Sequence, residues 1–133
     1  KLVGFATVSR DSNLGLIEFV GDHLHSLGVA CELIYNRERT KANLLASIGP
    51  AVAGGVVLSG HTDVVPVDGQ SWQSDPFTMS ERDGRLYGRG SCDMKGFITT
   101  YLHHYVNPHH LYNHLKLRLN TIHTVLQLPS PFL

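Results

Sequence analysis

The sequence predicts an α/β domain in which helices cover a sheet of neighbouring strands. Two patterns support this fold class. Residues 14–27 carry apolar side chains at every third or fourth position, which is typical of a helix with one buried face. Short apolar segments follow, each bounded by turn-forming residues, as expected for strands. A length of 133 residues is enough for one core.

The first helix is bounded by recognisable signals. Residues 11–13 (Asp-Ser-Asn) offer N-caps, and Gly28 is a typical C-terminal stop. Residues 29–35 then read as a strand, the polar residues 36–40 as a turn, and residues 42–48 as a second strand. We therefore expect strands that lie side by side beneath the helix.

A third apolar segment begins at Val56, after Gly54 and Gly55, and ends at His61 and Asp63. We interpret it as a buried strand with functional side chains at its carboxyl end, since ligands of open α/β sheets bind at that edge. Residues two apart in an extended segment point to the same side. A neutral imidazole is a common metal ligand, and a nearby carboxylate can accept its other N–H. The pair alone also fits an ordinary polar turn.

Asp93 lies among three glycines, Gly88, Gly90 and Gly96. Such spacing indicates a backbone that turns tightly or approaches another group closely. Asp93 could then be held rigidly enough to coordinate a cation with both oxygens. It could also cap a helix that begins near Met94, and the two roles are compatible.

The segment between these clusters carries turn signals. Residues 67–75 are expected to run over the surface near the site, and residues 76–86 to form a short hairpin. Its arginines are expected to be solvated.

The composition narrows the class of protein. Eleven basic and eleven acidic residues cancel, so nothing steers the chain towards nucleic acid or an anionic membrane. Two distant cysteines indicate a reducing compartment rather than a disulfide scaffold. No apolar run reaches the roughly twenty residues that cross a bilayer. The first residues lack a secretion signal and an initiator methionine, so we expect a cytoplasmic protein whose native start is missing.

The composition changes abruptly after Ile98. Residues 99–133 contain no Asp, Glu, Gly or Ala. They carry six of the nine histidines, namely His103, His104, His109, His110, His114 and His123. We interpret residues 1–98 as part of a catalytic domain and residues 99–133 as a foreign tail, partly helical or disordered, such as a frameshifted reading frame would produce.

Five collinear segments, residues 7–14, 41–44, 59–66, 75–77 and 88–96, resemble the zinc aminoacylase and carboxypeptidase family. Two of them contain the sequences SGHTDVVP and GRGSCDMKG. The resemblance implies an incomplete three-layer catalytic domain of a zinc-exopeptidase-like fold, followed by a divergent His-rich tail. It also implies that His61 ligates one zinc ion, that Asp93 bridges two, and that Asp63 orients His61. Cobalt is a possible substitute for zinc.

The resemblance implies metal-dependent hydrolysis of an amide. Residues 9–14 and 41–44 favour a branch that deacetylates an N-acetylated amino acid of arginine biosynthesis; desuccinylases, aminoacylases and dipeptidases are the alternatives. The family places a glutamate pair, one a general base and one a ligand, beyond the bridging aspartate. Here no acidic residue follows Asp93. We therefore expect this chain to be inactive, and its parent to dimerise through a domain absent here.

Two hypotheses of other classes remain. The histidines of the tail could make the chain a non-catalytic protein that sequesters metal. The chain could also be an unstable product without function, in which an exposed sheet edge favours aggregation.

Overall fold

The computed structural model describes residues 1–49, 56–104 and 115–120. Within these segments the chain is mixed α/β, as predicted. A four-stranded sheet has the order β1-β2-β6-β3, formed by Cys31–Tyr35, Ala42–Ile48, Leu115–Asn120 and Val56–His61. A separate hairpin consists of β4 (Ser80–Arg82) and β5 (Arg85–Tyr87). The helices are α1 (Leu14–Ser26) and α2 (Gly96–His104).

Helix α1 packs its predicted apolar face into the core. Leu16, Ile17, Val20 and Leu24 are fully buried there. Leu27 was expected on the same face, and this is wrong: the helix ends at Ser26, so Leu27 lies beyond it and is exposed.

The sheet combines both strand orientations. Strand β2 pairs antiparallel with β1 and with β6, whereas β3 pairs parallel with β6. Strand β1 begins at Cys31, two residues later than predicted, and β2 has the predicted bounds. His61 lies at the carboxyl end of β3.

The prediction that β3 is a buried strand is wrong for its first residues. Val56 and Val57 are 61% and 51% exposed. The reason is topological, because β3 lies at the end of the described sheet and has a strand on one side only. Burial increases towards its carboxyl end, where Gly60 is buried.

Strand β6 was not expected. Leu115–Asn120 falls in the predicted tail, yet it lies between β2 and β3, and its Leu119 is fully buried in the core. Helix α2 also crosses residue 98 and continues to His104. The domain boundary at residue 98 and the origin of residues 99–133 stay predictions.

Helix α2 begins at Gly96, after an irregular helical turn, Ser91–Lys95. Its Ile98, Tyr101 and Leu102 join the core. None of the helices in the described segments has both the length and the apolar character needed to span a bilayer.

Candidate metal centre

The site is a cleft of about 190 Å³ at the carboxyl end of β3. His61, Asp63 and Asp93 all line it. The three residues selected from the sequence are therefore brought together, although they span more than thirty positions of the chain.

Asp93 is presented by the turn between β5 and α2. Gly90 has a φ of +79°, and a Cβ atom there would lie 2.7 Å from Cγ1 of Val64, so both conformation and space require glycine. A Cβ atom at Gly96 would likewise collide with the carbonyl oxygen of Ser91. The Asp93 side chain is 86% exposed, and Asp93 lines the cleft. The expectation that the glycines enforce close backbone approach is confirmed.

His61 and Asp93 are in direct contact. Nε2 of His61 lies 3.0 Å from Oδ1 of Asp93. Two ligands of a tetrahedral zinc ion, each about 2.0–2.1 Å from the metal, are separated by about 3.3 Å. The pair therefore fits the coordination of one ion with little movement, and the second oxygen of Asp93 is left for another.

The described residues supply these two ligands and no more. They contain no group of three or more His, Cys, Asp or Glu side chains that could hold a metal. Within the described segments, an ion at this cleft would thus have two protein ligands.

Asp63 is buried behind His61. Nδ1 of His61 lies 2.9 Å from the backbone oxygen of Asp63 and 3.5 Å from its carboxylate Oδ1. The backbone carbonyl, rather than the expected carboxylate, is thus the hydrogen-bond acceptor for an N–H at Nδ1. With its proton on Nδ1, His61 would present the lone pair of Nε2 to a metal, whichever acceptor is used.

A buried polar network supports this end of β3. The Asn13 side chain donates to the carbonyl of Ala42 (2.8 Å) and to Oγ1 of Thr62 (3.1 Å), and it accepts from the Ala42 N–H (3.0 Å). Oγ1 of Thr7 donates to the carbonyl of Thr62 at 2.6 Å. Asn13 was expected only to cap α1. Its side chain instead ties β2 to the segment that follows β3.

Lys95 places a positive charge beneath the site. The side chain is fully buried, and its Nζ donates to the carbonyl of Phe5 at 2.6 Å. Burial lowers the pKa of Lys95 to about 8, an effect that the attraction of Asp63 partly offsets. Lys95 was not predicted as a residue of the site, because nothing in a Met-Lys-Gly sequence distinguishes a buried lysine from a solvated one.

Arg89 forms another part of the cleft wall. Its guanidinium lies 5.0 Å from the Trp72 ring, and Nη2 donates to Oε1 of Gln70. The expectation that the hairpin arginines are solvated is confirmed for Arg82 and Arg85, which are exposed, whereas Arg89, outside the hairpin, is half-buried and stacked on an aromatic ring.

The histidines of the predicted tail are only partly described. His103 and His104 are exposed on the last turn of α2, and neither lines the cleft. His109, His110, His114 and His123 lie outside the described residues.

Known proteins with similar sequences support the family resemblance. A sequence model of peptidase family M20/M25/M40 matches residues 57–125. The acetylornithine deacetylase of Pasteurella multocida (strain Pm70) is 51% identical over 88 residues, which are 65% of this chain and 23% of that protein. The same enzyme of Shigella sonnei (strain Ss046) is 50% identical over the same shares. The chain thus spans about a quarter of the length of these relatives.

Solved structures agree on the fold. Human carnosine dipeptidase 1 superposes with a TM-score of 0.74 and 24% identity, over 90% of this chain and 30% of that one. The M20 family metallo-carboxypeptidase Sso-CP2 of Sulfolobus solfataricus gives 0.76 and 23%, over 90% and 28%. The predicted fold class, an incomplete α/β domain of zinc-exopeptidase type, is confirmed. From its sequence and its fold, the chain belongs to peptidase family M20/M25/M40.

Proposed function

We propose that this chain is the N-terminal part of a metal-dependent amide hydrolase that converts N-acetyl-L-ornithine and water to L-ornithine and acetate, a step of arginine biosynthesis. The observation that carries the proposal is the 3.0 Å contact between Nε2 of His61 and Oδ1 of Asp93. It occurs in a chain that is 51% identical, over 88 residues, to an acetylornithine deacetylase.

The roles of the three residues follow from their positions. His61 would hold an ion through Nε2, and Asp93 through its exposed carboxylate, which can reach two ions. Asp63 would hold the imidazole in place from behind. Imidazole and carboxylate ligands suit zinc, with cobalt as an alternative. A bound zinc ion would polarise the scissile carbonyl and activate water at neutral pH.

The same proposal makes the 133-residue chain inactive. Amide hydrolysis in this manner needs a general base, which commonly contributes about 10²- to 10⁴-fold. The chain has no acidic residue after Asp93, and the described residues offer only two metal ligands at the cleft. The parent would be a cytoplasmic homodimer that dimerises through a domain outside this chain. Its substrate would be a small N-acylated amino acid rather than nucleic acid or membrane.

A chimera tests the proposal. Residues 1–98 replace the corresponding part of the Pasteurella multocida relative, and acetate release from N-acetylornithine is measured with zinc or cobalt. We expect turnover by the chimera, its loss in His61→Ala and Asp93→Ala chimeras, and none by the isolated chain. A folded chimera without activity, or metal-dependent turnover by the isolated chain, would contradict the proposal.

The same chimera separates the alternatives within the family. N-succinylated substrates, other N-acyl amino acids and dipeptides are assayed beside N-acetylornithine. A desuccinylase, aminoacylase or dipeptidase assignment would replace the deacetylase if the chimera preferred one of these while the unmodified relative did not.

A non-catalytic metal-binding function is the candidate from another class. It is favoured by the six histidines of residues 99–133. It predicts that metal binding depends on those histidines and not on His61 or Asp93.

A further inference from the structure

Ser9 contacts the carboxylate behind His61. Its hydroxyl lies 2.7 Å from Oδ2 of Asp63 and 3.2 Å from the carbonyl oxygen of Val64. A serine hydroxyl has a single proton to donate. The shorter distance and the charge of the acceptor both favour donation to Asp63.

The backbone fixes Ser9 in this position. Val8 and Val64 form a parallel bridge, in which the Ser9 N–H donates to the Val64 carbonyl (3.0 Å) and the Val64 N–H to the Thr7 carbonyl (2.9 Å). Nζ of Lys41, the residue before β2, donates to the Ser9 carbonyl. The backbone N–H and the backbone carbonyl of Ser9 are therefore both hydrogen-bonded, to segments that are distant in sequence.

The contact of Ser9 contributes to the orientation of Asp63. A hydrogen bond to one oxygen restricts the rotation of a carboxylate about its last side-chain bond. With Oδ2 held by Ser9, the other oxygen, Oδ1, faces Nδ1 of His61 at 3.5 Å. Its negative charge there favours a proton on Nδ1, which keeps Nε2 free to bind a metal.

We propose that Ser9 is a positioning residue of the metal centre, which acts on His61 through Asp63. The inference rests on the proposed function, because it takes the His61 and Asp93 pair to be the metal site. It also gives a role to residues 9–14 and 41–44. Ser9 and Lys41, one from each segment, would support the ligands from behind.

The test follows zinc binding at His61 itself, in the full 133-residue chain. The ring ¹H–¹⁵N NMR signals of His61 are recorded during titration with zinc ions alone. Loss of an outer partner of a ligand typically lowers metal affinity about 10- to 100-fold. Because Ser9 acts one step further out, we expect Ser9→Ala to lower zinc affinity about tenfold. Ser9→Thr, which retains the hydroxyl, should restore it.

A matched control separates positioning from general support. Thr7→Val removes the neighbouring hydrogen bond to Thr62 without touching Asp63. We expect it to leave zinc affinity at His61 within about twofold of the original chain, while lowering the melting temperature. Should Ser9→Ala fail to fold, Ser9→Cys replaces it, since a thiol is similar in size and a weak donor.

A double-mutant cycle tests the route through Asp63. In an Asp63→Asn background, Ser9→Ala should cause no further loss of affinity, because the two changes remove one interaction. Equal losses in both backgrounds would overturn the inference, as would unchanged affinity in Ser9→Ala. If Asp93→Ala left zinc binding at His61 unchanged, the proposed metal centre itself would fail. If Asp93→Ala weakened binding and Ser9→Ala did not, only the role of Ser9 would fail.

Discussion

The buried side chain of Lys95 makes the stability of the fold depend on pH. Burial lowers its pKa to about 8 from an ordinary value of 10.5. Between these values the unfolded chain binds more protons than the folded one, so the Lys95 contribution to stability rises with pH. Below pH 8 the cost of burying the charge is present in full. The difference across this whole pH window is worth about 3 kcal/mol.

We therefore expect the free energy of unfolding of the chain, relative to Lys95→Met, to rise between pH 8 and pH 10. Urea unfolding at several pH values measures this difference. The comparison with Lys95→Met cancels opposing contributions in the same range, such as burial of the Cys31 thiol, which raises its pKa. A difference that is independent of pH would contradict a buried, perturbed lysine.

Residue types at the site were predictable, but their partners were not. His61, Asp63 and Asp93 could be selected because each residue type, in its local pattern, suits metal ligation. The contact between Ser9 and Asp63 joins residues 54 positions apart. It depends on residues 7–9 lying beside residues 62–64, and no local periodicity encodes that pairing.

Among the helices and strands, β6 is the one that the sequence did not lead us to expect. Helix α1 and strands β1 and β2 followed from apolar periodicity and turn residues. Strand β6 has the same kind of signal, because leucines alternate at positions 115, 117 and 119. The unusual composition of residues 99–133 obscured it. Its position between β2 and β3 could not be derived locally, since both pairings are long-range.

The central position of β6 predicts that a single substitution in it strongly lowers stability. Leu119→Ala removes a fully buried side chain from the core and should lower the free energy of unfolding by about 2–5 kcal/mol. Leu86→Ala is the matched control, because Leu86 is 60% exposed on β5, and should change stability by less than about 0.5 kcal/mol. Urea unfolding compares the two, and equal effects would mean that β6 is not part of the folded core.

At the scale of the whole molecule, the described sheet ends in the apolar strand β3. Val56 and Val57 are exposed there, and an unpaired apolar edge favours association with other chains. We expect the chain to self-associate with increasing concentration in sedimentation velocity. Val57→Lys should shift it towards monomer, because an edge charge opposes strand pairing. Leu86→Lys, which adds the same charge on the separate hairpin, should not.

The structure also changes how the competing metal-binding hypothesis can be tested. Deleting residues 99–133 would remove β6 from between two strands and would unfold the sheet. Replacing the six histidines of this segment with asparagine removes their ligand atoms and leaves β6 unchanged, because none of them lies in Leu115–Asn120.

Zinc affinity of three variants tests the central claim most directly. Isothermal titration of the 133-residue chain is compared with His61→Ala, Asp93→Ala and the variant lacking the six histidines. Removing a direct ligand should cost more than the roughly 100-fold upper range for an outer partner. We expect that loss in His61→Ala and Asp93→Ala, and unchanged affinity of the cleft in the third variant. Retained binding in the first two, with loss in the third, would contradict a metal centre built on His61 and Asp93.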